Sequence, residues 1–297
     1  MNLHRKFLVT FATAAALAAG APAIASAETG PMIAVPSTGQ PAQITSPAGK
    51  SRGVAIVIHG GAWQMVGPDA MASQRDNIDV VVGAGWTAVN IDYRAGYQSV
   101  ADSIAAYDWI RETVGPKTPI CTVGDSAGGH LALMIAWKRP DVACVVAMGA
   151  PTDLPAVQST QPFLWEAGVV ASFPLDQLDA LSPALHAKEI KAKILAGAVA
   201  TDPVVPPAQT RELLANANGA KGMFLKPGDA PFVHVNADVN DRAKFRDMET
   251  DLLIQAENRV LPAAVKKQQN TAKTRSKPAP KKTSKKTSKK NSKKGKR

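Results

Sequence analysis

Between residues 28 and 265, short runs of β-branched and apolar residues alternate with longer, Ala-rich amphipathic stretches. A strand buried on both faces reads as a continuous apolar run, whereas a helix crossing back over a sheet carries an apolar stripe at 3.6-residue spacing. Their alternation predicts an α/β fold with a mostly parallel central sheet flanked by helices. Strands are predicted at 54–58, 86–91, 120–123, 142–148, 194–199 and 222–225. Helices are predicted at 70–82, 99–114, 127–137, 207–217 and 240–258. The second helix carries Val100, Ile104, Tyr107, Ile110 and Val114 at helical spacing and opens on Ser99 as its cap, while the fourth has Pro207 in its first turn. Residues 28–50, rich in Pro and Gly, are expected to form at most a short edge strand. Residues 153–188 lose the alternation and read as an insertion, short enough to form a small lid but not a large cap.

The two ends differ from this body. Residues 1–27 hold Arg5 and Lys6, an apolar run from Phe7 to Gly20, and Ala25-Ser26-Ala27 before Glu28. That order is a positive region, an apolar region and a small-residue cleavage site, so the stretch reads as a signal peptide and the protein as secreted or periplasmic. The run is too short for a spanning helix, and no later stretch reaches spanning length. Residues 266–297 contain fifteen Lys or Arg and no acid, a Lys-rich composition expected to be disordered. The formal charge of +11 therefore hides two opposite parts. Without the tail, 20 basic residues face 24 acids; without Arg5 and Lys6 as well, 18 face 24, leaving the body at −6. Such a tail is suited to contact an anionic polymer or envelope phosphate, with steep salt dependence. A polyanion-binding protein acting through it is thus the reading from another class. Two Cys exclude a disulfide-stapled scaffold or a Cys-rich zinc module.

Gly124-Asp125-Ser126-Ala127-Gly128 falls where a predicted strand meets a predicted helix. Small residues on either side let the chain turn sharply and leave the Ser126 hydroxyl exposed at a helix N-terminus, the arrangement of a nucleophile elbow. A serine nucleophile needs a histidine base. His4 leaves with the leader, His130 lies on the elbow's own helix, His59 opens a Gly-Gly turn and His186 sits at the exit of the insertion. His234 follows the last strand and is the expected base. The acid should lie between Ser126 and His234 at the end of a strand. Asp202, before the Pro203-Val204-Val205-Pro206 turn, is favoured; Asp153, better suited to capping a helix, and Asp229 are its rivals. Backbone donors for an oxyanion are expected from Ala127 and from Gly61 or Ala62 in His59-Gly60-Gly61-Ala62-Trp63. Asp125 reads as a wall or hydrogen-bonding residue with no proton transfer.

These motifs, with Asp92-Tyr93-Arg94, resemble the α/β-hydrolase superfamily over residues 53–256. The nearest likeness is to small esterases related to hormone-sensitive lipase, carboxylesterases and arylformamidases. The resemblance implies an α/β-hydrolase fold and a serine hydrolase that cleaves carboxylic esters through an acyl-enzyme with no metal or organic cofactor. An amidase, arylformamidase or peptidase using the same three residues is the runner-up. Ala62 replaces the third Gly usual in hormone-sensitive-lipase relatives, and Ala95-Gly96-Tyr97 replaces Leu-Ala-Pro. Phe163, Leu164, Trp165 and Phe173 of the insertion suit either an acyl pocket or the core. Cys121 and Cys144 fall on strands that this fold makes neighbours. Export makes a disulfide possible, but adjacent parallel strands offer poor bridging geometry, so buried thiols are expected.

Overall fold

In the computed structural model of the 297-residue chain, residues 27–229 and 233–257 are described. The chain divides into two units, residues 1–262 and 263–297. The expectations for residues 1–26 and for the tail lie outside the described residues.

Among the described residues, eight strands form one sheet in the order β1-β2-β4-β3-β5-β6-β7-β8. They are β1 (Glu28–Ala34), β2 (Pro41–Ser46), β3 (Val54–Ile58), β4 (Thr87–Ile91), β5 (Ile120–Asp125), β6 (Cys144–Met148), β7 (Lys193–Val199) and β8 (Lys221–Leu225). From β4 to β8 every pairing is parallel, and β1 and β2 join antiparallel beyond β4. The helices are α1 (Pro68–Ala72), α2 (Arg75–Gly83), α3 (Gln98–Val114), α4 (Ala127–Lys138), α5 (Leu154–Thr160), α6 (Pro162–Leu164), α7 (Pro207–Asn216) and α8 (Val239–Glu257). This is the mostly parallel, helix-flanked sheet that the alternating pattern predicts.

The pleat sorts each strand between two cores. Ile56 and Ile58 of β3 face a core shared with Ile110 of α3 and Leu131 of α4, whereas Ala55 and Val57 face one built with Val81 of α2 and Phe245 and Leu253 of α8. All five residues of β3, β4 and β6 are buried, which is why these strands read as unbroken apolar runs.

Four local expectations are corrected. Residues 28–50 form two strands, not at most one; β1 is largely exposed and its register with β2 shifts between Thr29 and Met32, around Gly30-Pro31. An edge strand with a Pro at an irregularity carries little of the pattern by which strands are recognised. The helix expected at 70–82 is two helices, because Ser73 turns back to donate to Ala70 O (2.7 Å) and Gln74 is buried between α1 and α2. Ser99 lies inside α3 as a buried residue, and the helix begins after Tyr97 without a side-chain cap. Cys121 and Cys144 are a disulfide, not thiols: directly opposed in register on β5 and β6, their Cα atoms are 4.6 Å apart. That separation falls within the range a disulfide spans even between parallel neighbours.

The insertion contains α5, α6, a π-helical turn at Trp165–Val170 and short 3₁₀ turns at Leu175–Gln177, Asp179–Leu181 and Ala187–Glu189. Leu164, Trp165 and Phe173 are core residues, while Phe163 is 77% exposed. Among the described residues no helix is long and apolar enough to cross a membrane.

The disulfide closes a sequence separation of 23 residues, and by chain-entropy arguments such a loop contributes about 3 kcal/mol to stability. Thiol labelling of the oxidised protein in denaturant should therefore detect no free Cys, and Cys121→Ala/Cys144→Ala should melt at lower temperature. Two labelled thiols without reductant would contradict the bridge.

Candidate active site

The parallel strands deliver their following loops to one edge of the sheet, where open α/β sheets bind ligands. Ser126 lies between β5 and α4 with φ 55° and ψ −125°, an unusual conformation for a residue with a side chain. Sterics explain the flanking glycines. A Cβ on Gly128 would come within 2.0 Å of Ile58 O, and one on Gly124 within 2.4 Å of Gly128 backbone atoms. Helix and strands can meet this closely only without those side chains. The Ser126 N–H donates to Met148 O at 2.7 Å, and Ser126 O accepts from the His130 N–H at 3.1 Å, so the turn is tied to β6 and to the first turn of α4.

Asp202 follows β7, and His234 lies beyond β8. His234 Nδ1 donates to Asp202 Oδ2 at 2.8 Å, with both residues buried. The other carboxylate oxygen, Oδ1, accepts the N–H groups of Val204 (2.8 Å) and Val205 (3.0 Å). The turn after Asp202 thus fixes the carboxylate and leaves one oxygen for the imidazole. Gly149, which follows β6, joins this pair to Ser126: a Cβ there would lie 3.4 Å from His234 Cε1 and 3.6 Å from Asp202 Oδ2. Its neighbour Met148 holds the Ser126 N–H.

The rival acids lie elsewhere. Asp153 caps α5, accepting the Ala156 N–H at 3.2 Å, and Asp229 is exposed. The other described histidines also have partners of their own. His186 stacks on Trp137 with ring centroids 3.8 Å apart and contacts Glu189. His130 is fully buried, accepts from Trp63 Nε1 at 3.2 Å and donates through Nε2 to Leu181 O at 2.8 Å. Burial pushes its pKa down to about 4, so it stays neutral.

Residues 59–63 approach the elbow closely. A Cβ on Gly60 would lie 3.0 Å from Asp125 O and 3.1 Å from Ser126 Cβ. Gly61, Ala62 and Trp63 all have positive φ, at 108°, 51° and 59°. The loop is held by residues of the Asp92-Tyr93-Arg94 motif whose roles the motif alone did not reveal. His59 Nε2 donates to Asp92 Oδ1 at 3.0 Å, and its ring stacks on Tyr93 at 4.3 Å. The Tyr93 hydroxyl lies within donating distance of His59 O (3.0 Å) and Gly60 O (3.1 Å). A trans peptide that aims the Gly60 carbonyl at Tyr93 aims the Gly61 N–H away from it. Burial opposes ionisation of Asp92, yet hydrogen bonds from His59 and from the Tyr93 and Gly67 N–H groups hold its carboxyl below the usual range. Burial and the Asp92 charge push the Tyr93 hydroxyl pKa upward, which keeps it a donor.

Behind the elbow lies a polar cluster that sequence reasoning missed. Asp125 Oδ2 accepts from Asn77 Nδ2 at 3.0 Å, Asn77 Oδ1 accepts from Arg246 Nη1, and Arg246 Nη1 also donates to Glu249 Oε2 at 2.7 Å. Burial raises the pKa of Glu249 to about 7 with a smaller push from the Asp125 charge, and Arg246 only partly opposes the shift. No sequence signal links Asn77 to Arg246, 169 residues apart.

An esterase-type α/β-hydrolase is what this fold and site define: a serine hydrolase with a strand-turn-helix elbow, a paired His and Asp, and a Gly-Gly loop against the serine. The family model BD-FAE matches residues 43–216, more than half of the chain, and the protein belongs to this α/β-hydrolase-type esterase family. No curated protein matches the sequence. Among solved structures, a truncated carbohydrate esterase from gut microbiota superposes with TM-score 0.62 at 20% identity, covering 81% of this chain and 100% of that one. Esterase 2 of Thermogutta terrifontis, phosphonylated by sarin, gives 0.61 at 19% identity, covering 79% and 96%. A puromycin-hydrolysing peptidase of Mycobacterium tuberculosis gives 0.62 at 18% identity, covering 80% of this chain and 40% of that one. At these identities the structures establish the shared fold.

Tyr93→Phe keeps the ring and removes the donor to the His59 and Gly60 carbonyls. Should the loop lend a backbone donor to an oxyanion, kcat for an aryl ester should fall by about tenfold with KM little changed; unchanged kcat would separate the Tyr93 contacts from catalysis. With its native pKa raised, Glu249 binds more protons folded than unfolded between about pH 4.5 and 7, so wild-type stability falls as pH rises through that window. Thermal melts should show Glu249→Gln gaining on wild type from about pH 5 to 8, on the order of 2–3 kcal/mol in total. A constant difference across that range would contradict a titrating Glu249.

Proposed function

We propose that the protein is an exported serine esterase that cleaves carboxylic esters through an acyl-enzyme. Ser126 attacks the ester carbonyl, and His234 takes its proton through Nε2 while Nδ1 remains hydrogen-bonded to Asp202. The oxyanion is received by the Ala127 N–H and by the N–H of Gly61 or Ala62. His234 then protonates the departing alcohol and activates the water that releases the acid. The observation that carries this reading is the buried 2.8 Å His234–Asp202 pair at the strand edge that holds Ser126. The direction imposed on the Gly61 N–H by the Tyr93 clamp favours Gly61 as the loop donor.

Export is supported by the leader-like residues 1–27 and by the Cys121–Cys144 disulfide, which suits an oxidising compartment. In this reading the Lys-rich tail supplies a salt-sensitive contact with an anionic polymer.

A fluorophosphonate probe followed by peptide mapping should modify Ser126, and Ser126→Ala should lose both labelling and turnover. Asp202→Asn should reduce kcat by about 10⁴-fold, as expected when the imidazole loses its orienting carboxylate. A panel of short-chain aryl esters against formyl and peptide amides should show ester preference. Label on another residue, or turnover retained by Ser126→Ala, would overturn the mechanism, and preference for the amides would favour the amidase reading.

A further inference from the structure

The seam between α2 and α8 lies behind the elbow and contains two parallel polar rungs. In the first, Arg242 Nη1 donates to Asp76 Oδ2 at 3.1 Å while Nη2 donates to Val235 O at 2.8 Å. Val235 is the residue after His234. In the second, Arg246 binds Asn77 Oδ1, and Asn77 Nδ2 donates to Asp125 Oδ2 at 3.0 Å. Asp125 is the residue before Ser126. The α2 residues are consecutive and the α8 residues are one turn apart, so one helix pair carries both rungs.

Packing leaves the seam little freedom. Asn77 is 1% exposed and also donates to Gln74 Oε1 at 2.6 Å. Arg246 is anchored on Glu249, which is fully buried. Between the rungs lies a cavity of about 10 Å³ lined by Asp125, Met148, Leu225, Arg242, Phe245 and Arg246, no larger than about one water. Met148 is the residue whose carbonyl holds the Ser126 N–H.

We infer that Arg242 and the Arg246–Asn77 pair are positioning residues that set the separation of Ser126 and His234, one rung gripping the chain beside the base and the other the chain beside the nucleophile. This rests on the roles given above to Ser126 and His234. Neither arginine is assigned contact with the substrate. Both act through the backbone or side chain of a neighbour, from the far side of the elbow. A shift of about 1 Å between nucleophile and base affects the reacting geometry far more than substrate binding. Loss of a rung should therefore appear in kcat and not in KM.

Arg242 is the first test because it is partly exposed and its removal leaves the buried pair intact. Arg242→Ala should lower kcat by roughly ten- to a hundredfold, with KM within about twofold and the fluorophosphonate labelling rate of Ser126 reduced in the same ratio. Free guanidinium should restore part of kcat to Arg242→Ala, and Arg242→Lys should retain more activity than Arg242→Ala, because either cation can again reach Val235 O. Asn77→Ala, taken with its far-UV spectrum and melting curve, should give the same split. If Asn77→Ala does not fold, the Arg242 series decides alone. Unchanged kcat in folded Arg242→Ala, a change confined to KM, or a loss that guanidinium and Lys leave unrepaired would overturn the inference. Failure of the underlying reading looks different: Ser126→Ala would then remain active whatever the Arg242 series shows.

Discussion

The carbonyl of Ile58 at the end of β3 leaves no room for a side chain on Gly128, and the rest of the site follows from that closeness. Because α4 begins against β3 and β5, the chain must reverse within the single residue Ser126, which is held at φ 55°. Strain of this kind costs about 1–3 kcal/mol and persists only where surrounding structure dictates it. Here the Met148 carbonyl, the His130 N–H and the buried apolar face of α4 supply that constraint. The same closeness brings the residues after β3 against the serine, since Gly60 packs on Asp125 O and Ser126 Cβ. Elbow and Gly-Gly loop are thus two sides of one helix-strand contact, and a side chain at Gly124, Gly128 or Gly60 would disturb both.

What could be read from sequence divides along physical lines. Strands β3 to β7 were legible because burial on both faces makes them continuous apolar runs, and the elbow because its glycines are required by steric contact within a few residues. His234 and Asp202 could be reached because chain order and strand ends restrict the candidates, and the structure places them 2.8 Å apart. Strands β1 and β2 were not legible as a pair, since one is mostly exposed and interrupted by Gly30-Pro31. The disulfide is not legible in the sequence because it depends on the register of β5 and β6, which a sequence does not display. The rungs at Asn77 and Arg242 were invisible for a related reason: hydrogen bonds between surface-like polar residues far apart in the chain leave no periodicity behind.

The insertion bears on the site through Trp63, not through its exposed aromatic. Phe163 points a largely solvent-exposed ring away from the core, whereas Phe173 packs edge-on against Trp63 at 4.9 Å. Trp63 closes the run of positive-φ residues after Gly60, and its indole N–H donates to His130, which in turn donates to the carbonyl of Leu181, the last residue of the insertion's second 3₁₀ turn. Burial keeps His130 neutral, so it can accept on one side and donate on the other, and the relay from loop to insertion runs through a single tautomer. A second tie joins Gln64 Nε2 to Ser172 Oγ at 2.8 Å, and Gly168 packs against Ala62 and Trp63. The strained residues 61–63 are therefore braced by Tyr93 and Asp92 on the sheet side and by the insertion on the other. A change in the insertion at Ser172, Phe173 or Leu181 would be felt at residues 61–63, next to the Gly60 that packs on Ser126.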